Sequence, residues 1–232
     1  TVRDVAGLLN VSEKTVYRMI QRGDIPAYKV HEQYRFNRTE LLEWATTNRI
    51  NFSAEILKEP ETSTAPLPSL ADALEAGGIY YRVEGHDKDS ALRSVVKIMR
   101  LPEDVDREFL MKVLLAREAL ASTGIGDGIA VPHPRNPIVL QVSEPFITLC
   151  FLENAIEFGA LDGLPVHSLF TFVTPNTRAH LHLLARLSFS LRDNKFREAI
   201  QLQASRETIL REARRIEADI GKSHVVETAS HI

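Results

Sequence analysis

Cysteine is nearly absent from this chain of 232 residues, which contains only Cys150. A single thiol cannot form an internal disulfide, so a disulfide-stapled scaffold is excluded. Long apolar runs are lacking as well, because no segment approaches the roughly 20 apolar residues that cross a bilayer. No secretory signal opens the chain. These absences predict a cytoplasmic protein that makes no contact with a membrane.

The composition changes along the chain and indicates two domains. With 44% hydrophobic residues, the chain is long enough for one sizeable core and a small satellite. Residues 51–68 contain three prolines among serine, threonine and glutamate, which is typical of an extended linker. We therefore expect a small domain over 1–50, a linker over 51–68, a larger domain over 69–220 and a frayed tail over 221–232.

The beginning of the chain carries the signals of two short helices. Thr1 and Asp4 have the spacing of a capping box, and an apolar stripe follows and ends at Asn10. Ser12 is a suitable N-cap for a second helix, and Gly23 is a suitable residue to end it. This order predicts a helix-turn-helix.

A short hairpin and a third helix follow. Residues 27–30 and 33–36 alternate as strands do across the two-residue connection His31-Glu32, and Asn37 begins a helix with an apolar side. Residues 1–50 contain eight basic and six acidic side chains, a net charge of +2, whereas the remainder carries −5. The hairpin therefore has the position of a wing, and the basic balance lies in the part that would bind DNA.

One face of the second helix combines positive charge with groups that hydrogen-bond phosphates and base edges. The predicted DNA-contacting residues on this helix and on the wing are Lys14, Thr15, Tyr17, Arg18, Arg22, Lys29 and Arg35. The alternative is a merely solvated face, which is the usual meaning of one charge run. Residues 2–18, 23–30 and 34–36 resemble the excisionase/MerR-like winged DNA-binding domains, and this resemblance implies double-stranded DNA as a partner.

A glycine-rich segment in the larger domain leads directly to a histidine. Residues 124–133 read GIGDGIAVPH, in which a short apolar strand and Pro132 hold His133 stiffly. A neutral imidazole is nucleophilic near neutral pH and attacks phosphorus without first losing a proton. The alternative is a tight turn followed by a hydrogen-bonded structural histidine. No Lys-Ser/Thr pair follows the glycines, so the segment is not a P-loop.

The surrounding residues extend this pattern into a longer motif. Its members are Arg117-Glu118, Ser122 to Gly126, Gly128 to His133 and, downstream, Thr177 and His180-Leu181-His182. The motif resembles the active-site signature of the fructose/mannitol-type enzyme IIA domains of the bacterial phosphotransferase system, including the nitrogen-related branch, and the resemblance covers about residues 68–219. It implies that His133 is the phospho-acceptor, that His180 hydrogen-bonds the phosphoryl group and that Arg117 is a charge partner.

The glycine-rich turn is expected to assist this chemistry with its backbone N–H groups, which approach an anion closely where side chains are absent. The residues of this predicted phosphoryl-binding turn are Gly124, Gly126, Gly128 and Pro132.

His182 lies two positions after His180, which on a helix is a rotation of about 200°. They cannot both serve one site. A zinc site would need three or four converging ligands, and the only cysteine lies in the apolar run 146–152, where a packing role is favoured. We therefore expect no metal and no organic cofactor.

Strands and helices alternate in the larger domain. Apolar runs predict strands over 79–83, 146–152 and 166–173, and helical periodicity predicts helices over 89–99, 104–120, 177–192 and 206–220. The expected fold class is α/β (α+β), a mixed sheet flanked by helices as in phosphotransferase IIA type 2 domains, together with the small winged helix-turn-helix domain.

Two such modules on one chain favour a transcriptional regulator whose larger domain accepts and donates a phosphoryl group at His133. The implied donor is an HPr-like phosphohistidine carrier protein, and a IIB domain or a regulatory protein is a further partner. One alternative is a sugar-uptake phosphocarrier that passes phosphate to a IIB domain, with the small domain as an adaptor. Another is a protein-binding module without phosphotransfer, which a carboxylate in the turn, Asp127, would suit.

Overall fold

The computed structural model describes residues 1–30, 33–48, 50, 67–103, 105–134 and 142–229. The chain divides into two compact units, Thr1–Pro66 and Leu67–Ile232. Most of the predicted linker, residues 51–66, lies outside the described residues, and so does the wing connection His31-Glu32.

The small unit contains the predicted helices and hairpin. Its elements are α1 (Val2–Leu8), α2 (Glu13–Arg22), β1 (Tyr28–Val30), β2 (Gln33–Arg35) and α3 (Arg38–Thr47). Thr1 and Asp4 form the capping box of α1, and the Ser12 hydroxyl accepts a hydrogen bond from the Thr15 N–H at 3.2 Å. Gly23 ends α2 in the left-handed conformation with φ of 73°. These local signals set the helix boundaries that the sequence predicts.

A small apolar core closes this unit. Val16 of α2 is fully buried, and α1, α3 and the turn after α2 contribute the other buried apolar side chains. They are Val2, Val5, Ala6, Leu9, Ile25, Leu41, Leu42 and Ala45. The inward position of Val16 leaves the opposite face of α2 to solvent.

The larger unit is built on a mixed sheet. Its elements are α4 (Leu70–Gly77), β3 (Ile79–Val83), α5 (Lys88–Ile98), α6 (Arg107–Leu120), β4 (Gly124–Gly126), β5 (Ile129–Ala130), β6 (Phe146–Ile156), β7 (Val166–Val173), α7 (Thr177–Ser190), α8 (Asn194–Gln201) and α9 (Arg206–Ala229). Within the described residues the strand order is β3-β6-β7-β5-β4. The β3/β6 and β5/β7 pairs are parallel, and the β6/β7 and β4/β5 pairs are antiparallel. The predicted fold class is confirmed.

Both faces of the two central strands are buried. On β6, Phe146, Cys150 and Leu152 belong to the core cluster that also contains the apolar side chains of α5 and α6. The alternate residues face the other way, where α4 comes close enough that Gly77 lies against the Ile147 carbonyl. Strands covered on both faces require continuous apolar runs, which explains why β6 and β7 were recognisable in the sequence.

The structure corrects three expectations. The tail was expected to begin at residue 221, but helix α9 continues through this position to Ala229. A single glycine, Gly221, costs a helix only about 1 kcal/mol, and no proline follows it. Residues 124–126, expected in a turn, form strand β4, so the turn is confined to Asp127-Gly128. Helices α4 and α8 were not predicted, since each has only 8 residues. No helix in the described part of the chain has the length and apolarity to span a bilayer.

The contact between α4 and β6 generates a stability prediction. A Cβ at Gly77 would lie 2.2 Å from the Ile147 carbonyl oxygen. We therefore expect Gly77→Ala to lower the free energy of unfolding of the larger unit by about 1–3 kcal/mol, the usual cost of overpacking. Urea unfolding followed by far-UV circular dichroism measures this change.

Gly7→Ala is the matched control, because nothing lies within 4 Å of a Cβ at that helical position. It should stabilise the small unit by about 0.5–1 kcal/mol. The only tryptophan, Trp44, reports on that unit by fluorescence. An unchanged circular dichroism midpoint for Gly77→Ala would contradict the close packing of α4 on β6.

Candidate functional site

His133 lies where the β5 segment leaves the sheet beside the end of β7. The Val131 N–H donates to the Thr123 carbonyl at 3.0 Å, and the Phe172 N–H donates to the Pro132 carbonyl at 3.0 Å. The backbone before His133 is thus fixed on both sides, by the strand partner and by β7. His133 is buried, with 3% of the residue's surface exposed.

One ring nitrogen of His133 is held by its own backbone. Nδ1 lies 2.7 Å from the carbonyl oxygen of Val131. A carbonyl oxygen can only accept, so Nδ1 carries the proton and donates. In the neutral ring the lone pair is then on Nε2, which is the nucleophilic nitrogen.

His180 is the second imidazole of the site. It is fully buried in the first turns of α7, and its ring centroid lies 5.0 Å from that of His133. Phe172 of β7 packs edge-on against it, with a centroid distance of 6.0 Å. His182 points elsewhere, and its Nε2 lies 3.1 Å from the Pro68 carbonyl oxygen. The structure therefore brings His180, and not His182, to His133.

Helix α7 also directs its positive end toward this region. The helix starts directly after β7, and the Asn176 side chain caps it by accepting from the Ala179 N–H at 2.8 Å. His180 is the fourth residue of the helix. Because a helix N-terminus carries about half a positive charge, it stabilises an anion placed beside these residues.

Arg117 is buried in the last turn of α6, with 8% of its surface exposed. Its Nη1 donates to the Ala121 carbonyl oxygen at 2.9 Å. Ala121 lies two residues before Thr123, the partner of Val131, so the guanidinium is held at the His133 end of the β4/β5 hairpin. Its charge also complements the carbonyl end of α6.

A buried carboxylate next to Arg117 was missed as a site residue. Glu118 Oε2 accepts the Thr123 N–H at 3.0 Å and the Thr123 hydroxyl at 2.6 Å. Glu118 Oε1 accepts from Nζ of Lys88 at 3.0 Å. Glu118 and Thr123 stand in the sequence motif, but nothing in the sequence connects Lys88, 30 residues upstream, with them.

The glycines expected to bind a phosphoryl group are distributed along the hairpin. The Gly128 carbonyl pairs with Ser168 of β7 and the Pro132 carbonyl with Phe172, so the two are four strand residues apart, about 13 Å. Gly126 and Gly128 therefore lie at the hairpin tip, away from the His133 ring. Of the four predicted turn residues, Pro132 adjoins His133 directly.

Gly124 and Gly128 also have steric reasons. A Cβ at Gly128, where φ is 71°, would lie 2.3 Å from the His167 ring, and one at Gly124 would lie 2.9 Å from Ala160. Asp127 is also at the tip, where its N–H donates to an Asp162 carboxylate oxygen at 2.8 Å. The carboxylate that would suit a module without phosphotransfer is thus remote from His133.

The outer face of α2 carries the predicted DNA-contacting groups. Lys14, Tyr17, Arg18, Gln21 and Arg22 recur at helical spacing on the side opposite the buried Val16, and all five are exposed. Thr15 lies at the margin of this face, half-buried, with its hydroxyl 3.0 Å from that of Ser12.

The wing residues do not share one surface. Lys29 pairs with Tyr34 and Tyr28 with Arg35, and neighbouring residues alternate between the two faces of the hairpin. Tyr34 packs edge-on against Tyr17 of α2, with a centroid distance of 6.1 Å, so Lys29 lies on the α2 side. Arg35 lies on the other face with Tyr28, whose hydroxyl donates to Glu40 of α3.

Comparison with protein families matches both units. Residues 73–213 fit the family described as phosphoenolpyruvate-dependent sugar phosphotransferase system, EIIA 2. The chain belongs to this family. Residues 1–49 match a helix-turn-helix domain. The two resemblances seen in the sequence are thereby confirmed at the level of the family and of the helix-turn-helix.

Relatives of the larger unit, called the EIIA unit from here on, include regulatory and sugar-specific proteins. A nitrogen regulatory protein of Pseudomonas aeruginosa is 35% identical over 126 residues, which is 53% of this chain and 79% of that protein. A fructose-specific EIIABC component of Bacillus subtilis is 27% identical over 144 residues, 61% of this chain but 22% of that protein. The crystal structure of nitrogen regulatory protein IIA-Ntr from Neisseria meningitidis superimposes with a TM-score of 0.52 at 26% identity, covering 63% of this chain and 95% of that one.

The polar groups around His133 are nitrogen and oxygen atoms that form hydrogen bonds with the protein. In the described part of the chain, no three histidine, cysteine, aspartate or glutamate side chains are grouped so as to hold a metal ion. Cys150 is buried in β6, where desolvation raises the pKa of its thiol to about 12. Two adjacent imidazoles, a buried guanidinium and a helix N-terminus together suit one nucleophilic nitrogen and one incoming anion.

Proposed function

We propose that this chain is a DNA-binding transcriptional regulator whose EIIA unit is reversibly phosphorylated on His133 by an HPr-like phosphohistidine carrier protein. The observation that carries the phosphorylation is the 2.7 Å contact between Nδ1 of His133 and the Val131 carbonyl oxygen, which leaves Nε2 as the nucleophile. The helix-turn-helix match over residues 1–49 supports DNA as the second partner. Both partners belong in a bacterial cytoplasm.

The proposed transfer needs no external base. Nε2 of His133 attacks the phosphorus of the donor phosphohistidine in line, and the N–P bond of the donor breaks with its electron pair returning to the donor imidazole. The proton on Nδ1 of His133 stays in place. The positive charge that the ring acquires is stabilised by the Val131 carbonyl oxygen, which already accepts that N–H. The reverse of these steps passes the phosphoryl group on.

The negative charge of the phosphoryl oxygens is balanced by groups that are already in place. The imidazole of His180, 5.0 Å from His133 between ring centroids, is suited to donate to a phosphoryl oxygen. Arg117 and the N-terminus of α7 add positive charge. Because these groups are buried, their electrostatic effect is screened less than it would be in water.

A sugar-uptake phosphocarrier that donates to a IIB domain is the second candidate. The similarity to the fructose-specific EIIABC component of Bacillus subtilis favours it. The similarity to nitrogen regulatory proteins and the helix-turn-helix unit favour regulation. The two candidates differ in whether the state of His133 changes DNA binding.

The first test is phosphoryl transfer itself. Incubation with a phosphorylated histidine carrier protein should add one acid-labile phosphoryl group, and His133→Ala should abolish it because the nucleophile is lost. His180→Ala should slow the labelling by about 100-fold, the usual effect of losing one donor to the developing charge. Mass spectrometry of the intact protein measures the extent and the rate.

His182→Ala is the matched control, since His182 is on the same helix but contacts Pro68 instead of His133. It should be labelled at the parent rate. Full labelling of His133→Ala would refute the assignment of the acceptor.

The second test concerns DNA binding by the small unit. Arg18→Ala and Lys29→Ala should each reduce the slope of log affinity against log salt by about one unit, as loss of one phosphate contact does. Arg35→Ala should have a smaller effect, because Arg35 lies on the other face of the wing. Fluorescence anisotropy with a labelled duplex at several salt concentrations gives both quantities.

Lys112→Ala removes an exposed positive charge from the EIIA unit and is the control for net charge. Its salt slope should equal that of the parent. If Arg18→Ala and Lys29→Ala also equal the parent in affinity and slope, the small unit does not read DNA through this face.

The third test asks whether the two activities are coupled. A phosphoryl group adds about −1.5 to −2 charge, and residues 1–50 of the same chain, which contain the helix-turn-helix, have a net charge of +2. We expect phosphorylation to change the DNA dissociation constant by about tenfold, equivalent to 1.4 kcal/mol. Duplex DNA is titrated with phosphorylated and unphosphorylated protein at one salt concentration.

His133→Ala treated with the same donor controls for the reagents and should bind DNA identically before and after treatment. Superimposable curves for the two forms of the parent would show that His133 does not communicate with the helix-turn-helix. The phosphocarrier candidate would then be favoured.

A further inference from the structure

A buried ionic group lies next to the start of β4, the strand that pairs with the segment leading to His133. Glu118 is 8% exposed as a residue, and its carboxylate accepts from Lys88 Nζ at 3.0 Å and from the Thr123 N–H and hydroxyl. Lys88 is the first residue of α5, and its Nζ lies 5.1 Å from the centre of the Phe158 ring. The group therefore ties α5, α6 and the start of β4 together.

Hydrogen bonds connect this group to the imidazole in two steps. Thr123, fixed by Glu118, accepts from the Val131 N–H at 3.0 Å through its carbonyl oxygen. Pro132 restricts Val131 to the extended conformation, since the residue before a proline is excluded from the helical region. With the Val131 N–H anchored and its backbone extended, its carbonyl oxygen is aimed at Nδ1 of His133, 2.7 Å away.

We propose that Lys88, Glu118 and Thr123 are positioning residues for phosphoryl transfer, because they fix the Val131 carbonyl that keeps His133 as the Nδ1–H tautomer. This inference rests on the proposed phosphorylation of His133. None of the three residues contacts the phosphoryl group in this scheme. Their effect is on which ring nitrogen bears the lone pair and where that nitrogen points.

The chemistry of the group argues for more than a packing role. A buried ion pair replaced by apolar residues of similar size often leaves stability unchanged or increases it, so folding alone does not require charges here. Hydrogen bonds to an ionised carboxylate are also short and directional, as the 2.6 Å contact with the Thr123 hydroxyl is. Directional bonds that end at the reacting ring are what orientation requires.

The tautomer is measured directly by ¹⁵N NMR of imidazole-labelled protein. In the unphosphorylated parent at a pH where the ring is neutral, we expect the His133 signals of a protonated Nδ1 and an unprotonated Nε2. The Nε2–H tautomer in the parent would overturn the proposal at once, whatever the outcome of the phosphorylation assay.

Three variants then test the positioning. Thr123→Val removes only the hydroxyl, Glu118→Gln removes the negative charge, and Lys88→Met removes the positive charge. Each should give a mixture of His133 tautomers and accept phosphate at least about tenfold more slowly, because small displacements of a nucleophile cost this much. Each should still reach one phosphoryl group per chain, since His133 itself is intact.

Arg93→Met is the matched control for Lys88→Met. Arg93 is a cation on the same helix, paired with Asp89 on the surface at 2.6 Å, and it has no connection to Thr123. It should leave both the ¹⁵N signals and the rate at parent values. Circular dichroism checks that each variant is folded, and if Glu118→Gln is not, the near-isosteric Thr123→Val and the partly exposed Lys88→Met decide the matter.

The outcomes separate the two proposals. A parent that accepts no phosphoryl group refutes the proposed function, while the ¹⁵N signals still report whether the ionic group sets the tautomer of His133. A parent that is phosphorylated, with Thr123→Val and Lys88→Met showing the parent tautomer and the parent rate, refutes the positioning role and leaves the proposed function standing.

Discussion

The carbonyl oxygen of Val131 determines which ring nitrogen of His133 carries the proton, and several contacts in the larger unit hold this oxygen in place. It accepts the Nδ1 proton at 2.7 Å, so the ring has one nucleophilic nitrogen instead of two interchangeable ones. Its own position depends on β4 through Thr123 and on β7 through the next residue, Pro132. A sheet packed on both faces supplies the stiffness that these contacts need.

Groups that attract an anion and a buried carboxylate occur side by side in the larger unit. Arg117, His180 and the start of α7 favour an anion, whereas Glu118 is a buried anion in the residue next to Arg117. An unpaired carboxylate there would oppose a phosphoryl group and would be costly to bury. Lys88 offsets both effects, because its ammonium pairs with Oε1 of Glu118 at 3.0 Å. In the proposed scheme, the paired carboxylate of Glu118 orients the site without repelling an incoming anion.

The sequence was sufficient where the signal is local or periodic. Thr1, Ser12 and Gly23 predicted helix ends because capping depends on neighbouring residues only, and the rotation between His180 and His182 follows from helix geometry. The assignment of His133, His180 and Arg117 to one site came from the family resemblance, and the structure brings the two imidazoles together.

Other features depend on tertiary contacts that no local pattern contains. Lys88 reaches Glu118 only because α5 packs beside α6. Strand alternation places Lys29 and Arg35 on opposite faces of the hairpin, but which face lies toward α2 is set by the contact of Tyr34 with Tyr17. The glycine-rich segment was open to interpretation as a turn because glycine fits turns and tight strands alike.

The steric role of Gly124 and Gly128 shows that residues of a sequence motif can be required by the fold or by the chemistry of the site. Both glycines are required by close neighbours, Ala160 and the His167 ring, and those neighbours belong to the scaffold. A protein of this fold with another residue in place of His133 would still need them, so the glycine pattern identifies an architecture. Whether a protein of this fold shares the chemistry of the site must be judged from other positions, namely those of the two imidazoles and the guanidinium.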